Sequence, residues 1–308
     1  MPRQRLIPPV GNADLRLLRI FKAVAACGGL AAAETELNIG RSAISRHLSD
    51  LEGRLGMVLC HRGPAGFALT EEGRQVLGAV GRLLAAVGDF RTEVSELRER
   101  LGGVLRVALF DHCITNPAAR ISETLGRFNE AAPDVQVELS LLAPNLVEAG
   151  LLAGTLDIGM IAMHRTPPGL DLLPVHGETM FLFCGRGHPF FDRPDAGLDL
   201  PAIRAAAYAG ISFNSPNLAF GQTLDMRPKA VVQNETMLAA LILSGRFVGF
   251  LPDHMAAGLE AQGLMRRLLP DAITYATTFA AATRRTPAPN RITRVFRRML
   301  EEAHAPSP

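Results

Sequence analysis

The sequence predicts an α/β protein in three parts: a helical head with a small hairpin, one long helix, and a body of alternating strands and helices. Three observations predict it. Apolar residues recur at helical spacing from Leu15 to Leu55, broken at Gly28-Gly29 and at Asn38-Ile39-Gly40. A proline-free stretch from Arg74 to Leu101 keeps a seven-residue apolar repeat. After Gly102-Gly103, short apolar strands alternate with amphipathic helices.

Composition sets the outer limits. The 308 residues are 48% hydrophobic and 20% charged, an ordinary globular balance and not that of a disordered chain. No run approaches the ~20 apolar residues of a membrane span. Residues 1–12 read as a flexible N-terminus, with prolines and arginines but no long apolar stretch, and not as a secretory signal. We expect a cytoplasmic protein with no membrane partner. Net charge is only +2, yet residues 1–70 hold nine Lys/Arg against five acids, a net +4. That sign suits a phosphate-binding head. Cys27, Cys60, Cys113 and Cys184 have no metal-ligand spacing and read as reduced, mostly buried thiols. Redox sensing by Cys113 or Cys184 is the alternative.

The head is expected over 13–73. Asp14 reads as the cap of a first helix carrying Leu15, Leu18, Phe21 and Ala25, ended at Gly28-Gly29. Leu30 to Leu37 is a short second helix. After the turn at 38–40, a third helix carries Ile44, Leu48, Leu51 and Leu55 on one face. Its other face shows Arg41, Ser42, Ser45, Arg46 and Ser49, a helix-turn-helix pattern, although any three-helix bundle has polar outsides. The next segment favours DNA. Gly56 to Cys60 reads as a strand, 61–66 as a turn, Phe67 to Leu69 as a return strand, and Thr70 as the cap of a new helix. A hairpin there is a wing, with Arg62 at its tip.

Leu15 to Gly73 resembles the N-terminal domain of LysR-type transcriptional regulators. The resemblance lies in Leu15-x-x-Leu18-x-x-Phe21, Gly29-x-x-x-Ala33, Ala43-Ile44-Ser45-Arg46, Leu51-Glu52, Leu55-Gly56, Leu59 and Leu69-Thr70-x-x-Gly73, in that order and spacing. Three positions depart from the family pattern. Leu30 stands where a capping Ser or Thr is usual, Arg41 where Gln is usual, and Cys60 where Phe is usual. The resemblance implies double-stranded DNA as a partner. Arg41 and Ser42 are then expected at base edges, with Ser45, Arg46 and Arg62 mainly on the phosphates and Ser49 on the same DNA-binding face; the alternative for each is a solvated surface residue. An arginine fits guanine O6 and N7 bidentately, worth roughly 1–3 kcal/mol of discrimination.

The long helix is expected over 74–102, about 42 Å at 1.5 Å per residue. Val80, Leu83, Val87, Phe90, Val94 and Leu97 form its seam. The seam needs a cover: a second copy, as the resemblance implies (dimer or tetramer), or the chain's own domains. Gly78, Gly81 and Gly88 weaken the helix and make such support more necessary.

The body is expected over 103–308. Strands at 104–110, 135–142 and 156–162 with helices at 116–130 and 146–153 give a βαβαβ order and a mostly parallel sheet. Later segments read as strands at 178–185, 247–251 and 274–283 and as helices at 236–244 and 291–303. The resemblance extends here through Gly103-x-Leu105-Arg106-Val107, Leu156-Asp157-Ile158-Gly159, Gly187-His188-Pro189 and Gly245 to Pro252. It implies a two-lobed effector domain like a periplasmic binding protein, with one lobe near 104–175 plus 275–308 and the other near 176–274. Ligands bind such sheets at the carboxyl ends of strands. That places Asp111, His112, Thr115, Asn116, Met163, Phe213, Asn214 and Phe250 at the site of a small-molecule effector, unless they are merely caps and core. A helix beginning after Thr115 would offer free N–H groups, so an anionic effector is expected. His112 and His164 read either as ligands, as a pH-sensitive pair, or as neither. No cofactor is expected: the sequence has no Gly-rich phosphate loop, nucleophile elbow or metal-ligand cluster. An enzyme with an appended DNA-binding head is the remaining alternative.

Overall fold

The computed structural model describes residues 9–63, 66–96, 101–163, 165–212 and 215–305. They divide into two compact units, 1–91 and 92–308.

In the first unit, helices α1 (Asn12–Ala26), α2 (Leu30–Leu37) and α3 (Arg41–Leu55) bury their apolar stripes together. Phe21, Val24, Ile44, Leu48 and Leu51 are at most 1% exposed. Asp14 is not the cap of α1. Gly11 holds that place, and the Asp14 carboxylate reaches back to the Gly11 N–H at 2.8 Å. The same carboxylate pairs with Arg54 at 2.5 Å, tying α1 to the end of α3. The hairpin is displaced from its expected position: β1 is Cys60–Gly63 and β2 is Gly66–Leu69. Met57 to Leu59 instead form an irregular connection whose Leu59 is buried in the core. Thr70 does cap the next helix, accepting from the Gly73 N–H at 2.8 Å while donating to the Val58 carbonyl. Gly73 must lack a side chain, because a Cβ there would overlap the Leu59 carbonyl oxygen.

Helix α4 spans Glu71–Glu96. The start of its seam belongs to the head: Val80 is 3% exposed in the head core, with Leu83 half-buried beside it. Phe90 is 65% exposed and Val94 43%, so the cover over the seam ends before them. Leu97 lies outside the described residues.

The second unit opens with β3 (Gly103–Leu109), then two short 3-10 turns at Cys113–Thr115 and Pro117–Ala119, and only then helix α5 (Ile121–Ala131). The expected helix at 116–130 is therefore interrupted. Asn116 is a genuine cap, its Oδ1 accepting from Ala118 N–H at 2.9 Å, but it caps a 3-10 turn. Arg120 then takes a left-handed conformation (φ 46°) and restarts the chain as α5.

Next come β4 (Val135–Leu141), α6 (Pro144–Ala153), β5 (Ile158–Ala162) and the long β6 (Leu170–Gly185). Then follow α7 (Leu200–Ala205), β7 (Tyr208–Ile211), α8 (Pro216–Thr223), β8 (Pro228–Val232), α9 (Glu235–Leu243) and β9 (Val248–Pro252). The chain closes with α10 (Asp253–Ala261), β10 (Met265–Arg267), β11 (Thr274–Arg284) and α11 (Arg291–His304). The described strands pair in the order β4-β3-β5-β11-β6-β9-β7-β8, with β10 on β6. β3 runs parallel to β4 and β5, and β7 parallel to β8 and β9. The antiparallel strands β6 and β11 run through the middle of this order and join the two lobes. Their register shifts between Phe279 and Ala280, opposite 174–176, which lets Pro174 sit inside a strand without breaking the ladder.

One lobe packs Leu105, Val107, Phe128, Met160, Phe296 and Leu300. The other packs Leu182, Tyr208, Val248 and Phe250 on one face of its sheet and Phe183, Leu238, Ile242 and Leu251 on the other. No helix among the described residues is long and apolar enough to cross a membrane.

Candidate functional site

The head presents α3 to solvent. Arg41, Ser42, Arg46 and Ser49 are exposed and Ser45 is half-buried. Helices α2 and α3 both start at glycines, Gly29 and Gly40, with no side-chain cap. Position 30, expected to be the cap of α2, is instead its first helical residue, and the cap position is Gly29. Both N-termini border a concavity of about 840 Å³ that also includes Arg41, Ser42, Ser45, Arg62 and Phe67. The uncapped start of α2 directs N–H groups and a positive dipole end at such a space, which suits a phosphate. At the start of α3 the Glu34 carboxylate already accepts the Arg41 N–H at 2.6 Å, and the Arg41 side chain is exposed.

Arg62 does not sit as expected. It lies within β1, and its guanidinium donates to the Ser45 carbonyl at 3.0 Å and pairs with Glu52. Glu52 also accepts from Leu59 N–H at 2.8 Å and from Cys60 N–H at 3.3 Å. Arg62 therefore fastens the hairpin to α3, and with only 21% of its side chain exposed it has little reach toward a phosphate.

In the second unit a cavity of about 520 Å³ opens between the lobes. Leu142, Ala143 and Pro144 line one side, and Ser215, Asn217 and Pro252 the other. Glu178, Tyr275 and Thr277 of the crossing strands line it as well. Its charged lining residues are Asp111, Glu178 and Glu235; no Lys, Arg or His lines it among the described residues. Burial, with Asp111 and Glu178 nearby, pushes the Glu235 carboxyl up to about 7. Burial would also raise Glu178, but contacts with His176, His254 and Asn116 outweigh it and hold that carboxyl at about 2.

The segment 111–116 ties the lobes together beside this cavity. Asp111 Oδ2 accepts from the N–H and the hydroxyl of Thr236, each at 3.0 Å. His112 Nε2 lies 2.8 Å from the same hydroxyl. Thr115 Oγ1 meets His254 Nδ1 at 2.9 Å, and Asn116 Nδ2 donates to Glu178 at 3.2 Å.

Of the effector residues read from the sequence, Asp111 lines the cavity. His112, Thr115 and Asn116 bridge the lobes behind it instead. Met163 is partly exposed and Phe250 fully buried against Tyr208, Phe220 and Tyr275, and neither lines the cavity. Phe213, Asn214 and His164 lie outside the described residues. The anion-binding expectation loses its basis, because no helix starts at Thr115 and Asn116 faces a carboxylate. Glu178, Glu235 and Tyr275 were not foreseen; they come from segments far apart in the chain.

Residues 15–74 match the model for the bacterial regulatory helix-turn-helix protein, lysR family, and residues 98–305 match the LysR substrate binding domain. The chain belongs to the LysR family. It is 40% identical to the HTH-type transcriptional activator BauR of Pseudomonas aeruginosa over 287 residues, 93% of this chain and 94% of that one. It is 31% identical to the SDS degradation transcriptional activation protein of a Pseudomonas species, over 81% of this chain and 90% of that one. The crystal structure of full-length CbnR, a LysR family regulator complexed with its target DNA, aligns with a TM-score of 0.66 at 23% identity, over 95% of this chain and 100% of that one. At that identity the likeness speaks for the fold.

This LysR-type protein is thus a DNA-binding transcriptional regulator with an effector-binding domain. The described residues hold no cluster of three or more His, Cys, Asp or Glu arranged for a metal. Cys113 and Cys184 are at most 1% exposed and pack in different hydrophobic clusters. Burial pushes their thiols up to about 12 and about 11. The reactive species in thiol oxidation is the thiolate, so this geometry disfavours the redox alternative.

Proposed function

We propose that this LysR-type regulator reads DNA with the exposed face of α3 and responds to a small molecule held in the cavity between the lobes. Arg41 and Ser42 contact base edges, Ser45, Arg46 and Ser49 contact phosphates, and Arg62 positions the wing. The head spans 13–73, the linker helix 74–102 and the effector domain 103–308. One lobe takes 104–175 and 275–308, the other 176–274. Two copies associate through the seam of the linker helix, which is uncovered at Phe90 and Val94, as a dimer or a pair of dimers. The protein acts in the cytoplasm and is not an enzyme. The observation that carries this reading is the exposed face of α3 with Arg41, Ser42, Arg46 and Ser49, whose first residues share one concavity of the head with the uncapped start of α2.

The test is binding of the full chain to fragments flanking its own reading frame, with competitor DNA and a salt series. Arg46→Ala is expected to weaken every site equally and to lower the salt slope by about one. Arg41→Ala is expected to relax base preference at one position of each half-site, by roughly 1–3 kcal/mol. Unchanged affinity and preference in both variants would remove α3 as the reading element.

A further inference from the structure

The cavity that this reading assigns to the effector has an unbalanced lining. Asp111 follows β3, Glu178 lies on β6 and Glu235 opens α9, so three separate elements bring carboxylates to one space with no lining cation among the described residues. The N-terminus of α9, where an anion would find N–H donors, is already taken. Asp111 accepts from Thr236 N–H, Asn234 Oδ1 accepts from Met237 N–H, and Glu235 bonds its own amide. We infer that the cavity takes a small molecule bearing a protonated amine, its ammonium group held by Glu235 with Asp111 and Glu178.

Among the lining groups, Glu235 and Tyr275 lack a protein side-chain partner. The Glu235 side chain is half-buried and has only its own N–H, and the Tyr275 hydroxyl has no hydrogen bond among the described residues. The other two carboxylates are satisfied: Glu178 by Asn116 and His254, Asp111 by Thr236. Glu235 is the group that waits for a cation. A buried carboxylate without a counter-charge is costly, and an ammonium ion at hydrogen-bond distance removes that cost. The aromatic rings of Phe110, Phe279 and Tyr275 on the same lining can also face a cation. Leu142, Met160 and Ile161 offer an apolar wall to a short carbon chain. The volume of about 520 Å³ suits a small molecule.

Binding is coupled to protons. The groups facing Glu235 are Asp111, Glu178 and Tyr275, and burial beside the two acids keeps its carboxyl half-protonated near pH 7. An incoming ammonium ion drives that proton off. Binding therefore tightens about tenfold from pH 6 to pH 8 and releases about half a proton at pH 7.

The probes are five compounds with one four-carbon skeleton: n-butylamine, 1,4-diaminobutane, 4-aminobutanoate, butanoate and butanedioate. They are titrated calorimetrically into the full chain and into two variants, Glu235→Gln and Thr277→Phe, the latter filling the cavity from β11. We expect binding confined to ammonium-bearing probes, at least tenfold weaker in Glu235→Gln, lost in Thr277→Phe, and accompanied by proton release in buffers of different ionisation enthalpy. Amine binding that ignores Glu235→Gln, or silence of every ammonium probe, would overturn the inference. If butanoate or butanedioate binds alone and Thr277→Phe blocks it, the cavity remains the effector site and only the assigned charge is wrong. If ligands bind and Thr277→Phe blocks none of them, the cavity assignment itself is wrong.

Discussion

Glu235 also makes a prediction for the ligand-free protein. Its carboxyl titrates near 7 in the fold, against an ordinary value of 4.5. The folded state therefore binds the proton more tightly than the unfolded state. With a raised folded value, stability is greatest below pH 4.5, falls as pH rises to 7, and is flat above it. The difference of about 2.5 units corresponds to about 3 kcal/mol. Glu235→Gln keeps the shape and removes the titration. The variant and the parent should melt together at pH 4.5, and the variant should be the more stable by up to about 3 kcal/mol at pH 8. For a domain of this size that is roughly 6–12 °C in Tm. The assay is thermal melting of the full chain from pH 4.5 to 8.5, following the transition of the effector domain. A Tm difference that stays constant across this range would refute the reasoning, because it would place the carboxyl in contact with water or a counter-charge.

The geometry sets four further outcomes. Glu52→Ala strands two backbone N–H groups and Arg62; it should cost the head about 3 kcal/mol, more than Arg62→Ala, in denaturation followed by helical circular dichroism. Gly73→Ala forces a Cβ into the Leu59 carbonyl, so the head should unfold at a lower temperature while the effector domain melts unchanged. Phe90→Glu alters a 65% exposed residue of α4 and should lower the oligomer mass in light scattering without changing helical content. DNA binding should be indifferent to peroxide in the parent and in Cys113→Ser alike, since a thiol held near 12 is not a thiolate at neutral pH; a peroxide response of the parent that is lost in this variant would restore the redox reading.

The head is the part most legible in the sequence because it is local. Its helix stripes, the turn at the left-handed Asn38 (φ 50°) and the Thr70 cap each depend on residues a few positions apart, whereas Gly56, read as the start of a strand, is the αL residue (φ 70°) that closes α3. Two of the departures there share an origin: a polar residue with a plausible task nearby serves a distant one. Asp14 looks like a cap and joins α1 to Arg54 forty residues on. Arg62 looks like a phosphate ligand and holds Glu52. In the body, Asn116-Pro117 carries a true helix-start signal, but the left-handed Arg120 splits the expected helix into a 3-10 turn and α5. The segment 200–232, with α7, β7, α8 and β8, is illegible in the sequence because its elements are four to eight residues long. The cavity is half legible. Strand ends point to Asp111, Leu142 to Pro144, Ala162 and Ser215, but Glu178, Glu235 and Tyr275 meet only because β6 and β11 cross between lobes.

That crossing gives a physical route from ligand to lobe position. The hydrogen bonds that hold the lobes together at 111–116 include Asp111, a cavity carboxylate, and end on Thr236, the residue after Glu235. When Glu235 is ionised without a counter-charge, the arrangement of the lobes around it bears a cost of about 3 kcal/mol. A ligand ammonium ion at Glu235 removes that cost and so steadies the hydrogen bonds from Thr236 to Asp111 beside it. Glu235→Gln removes the cost without a ligand. Hydrogen exchange at the Thr236 amide at pH 8 should then be slower in that variant than in the ligand-free parent, and an exchange rate equal to that of the ligand-free parent would sever the charge at Glu235 from the contact between the lobes.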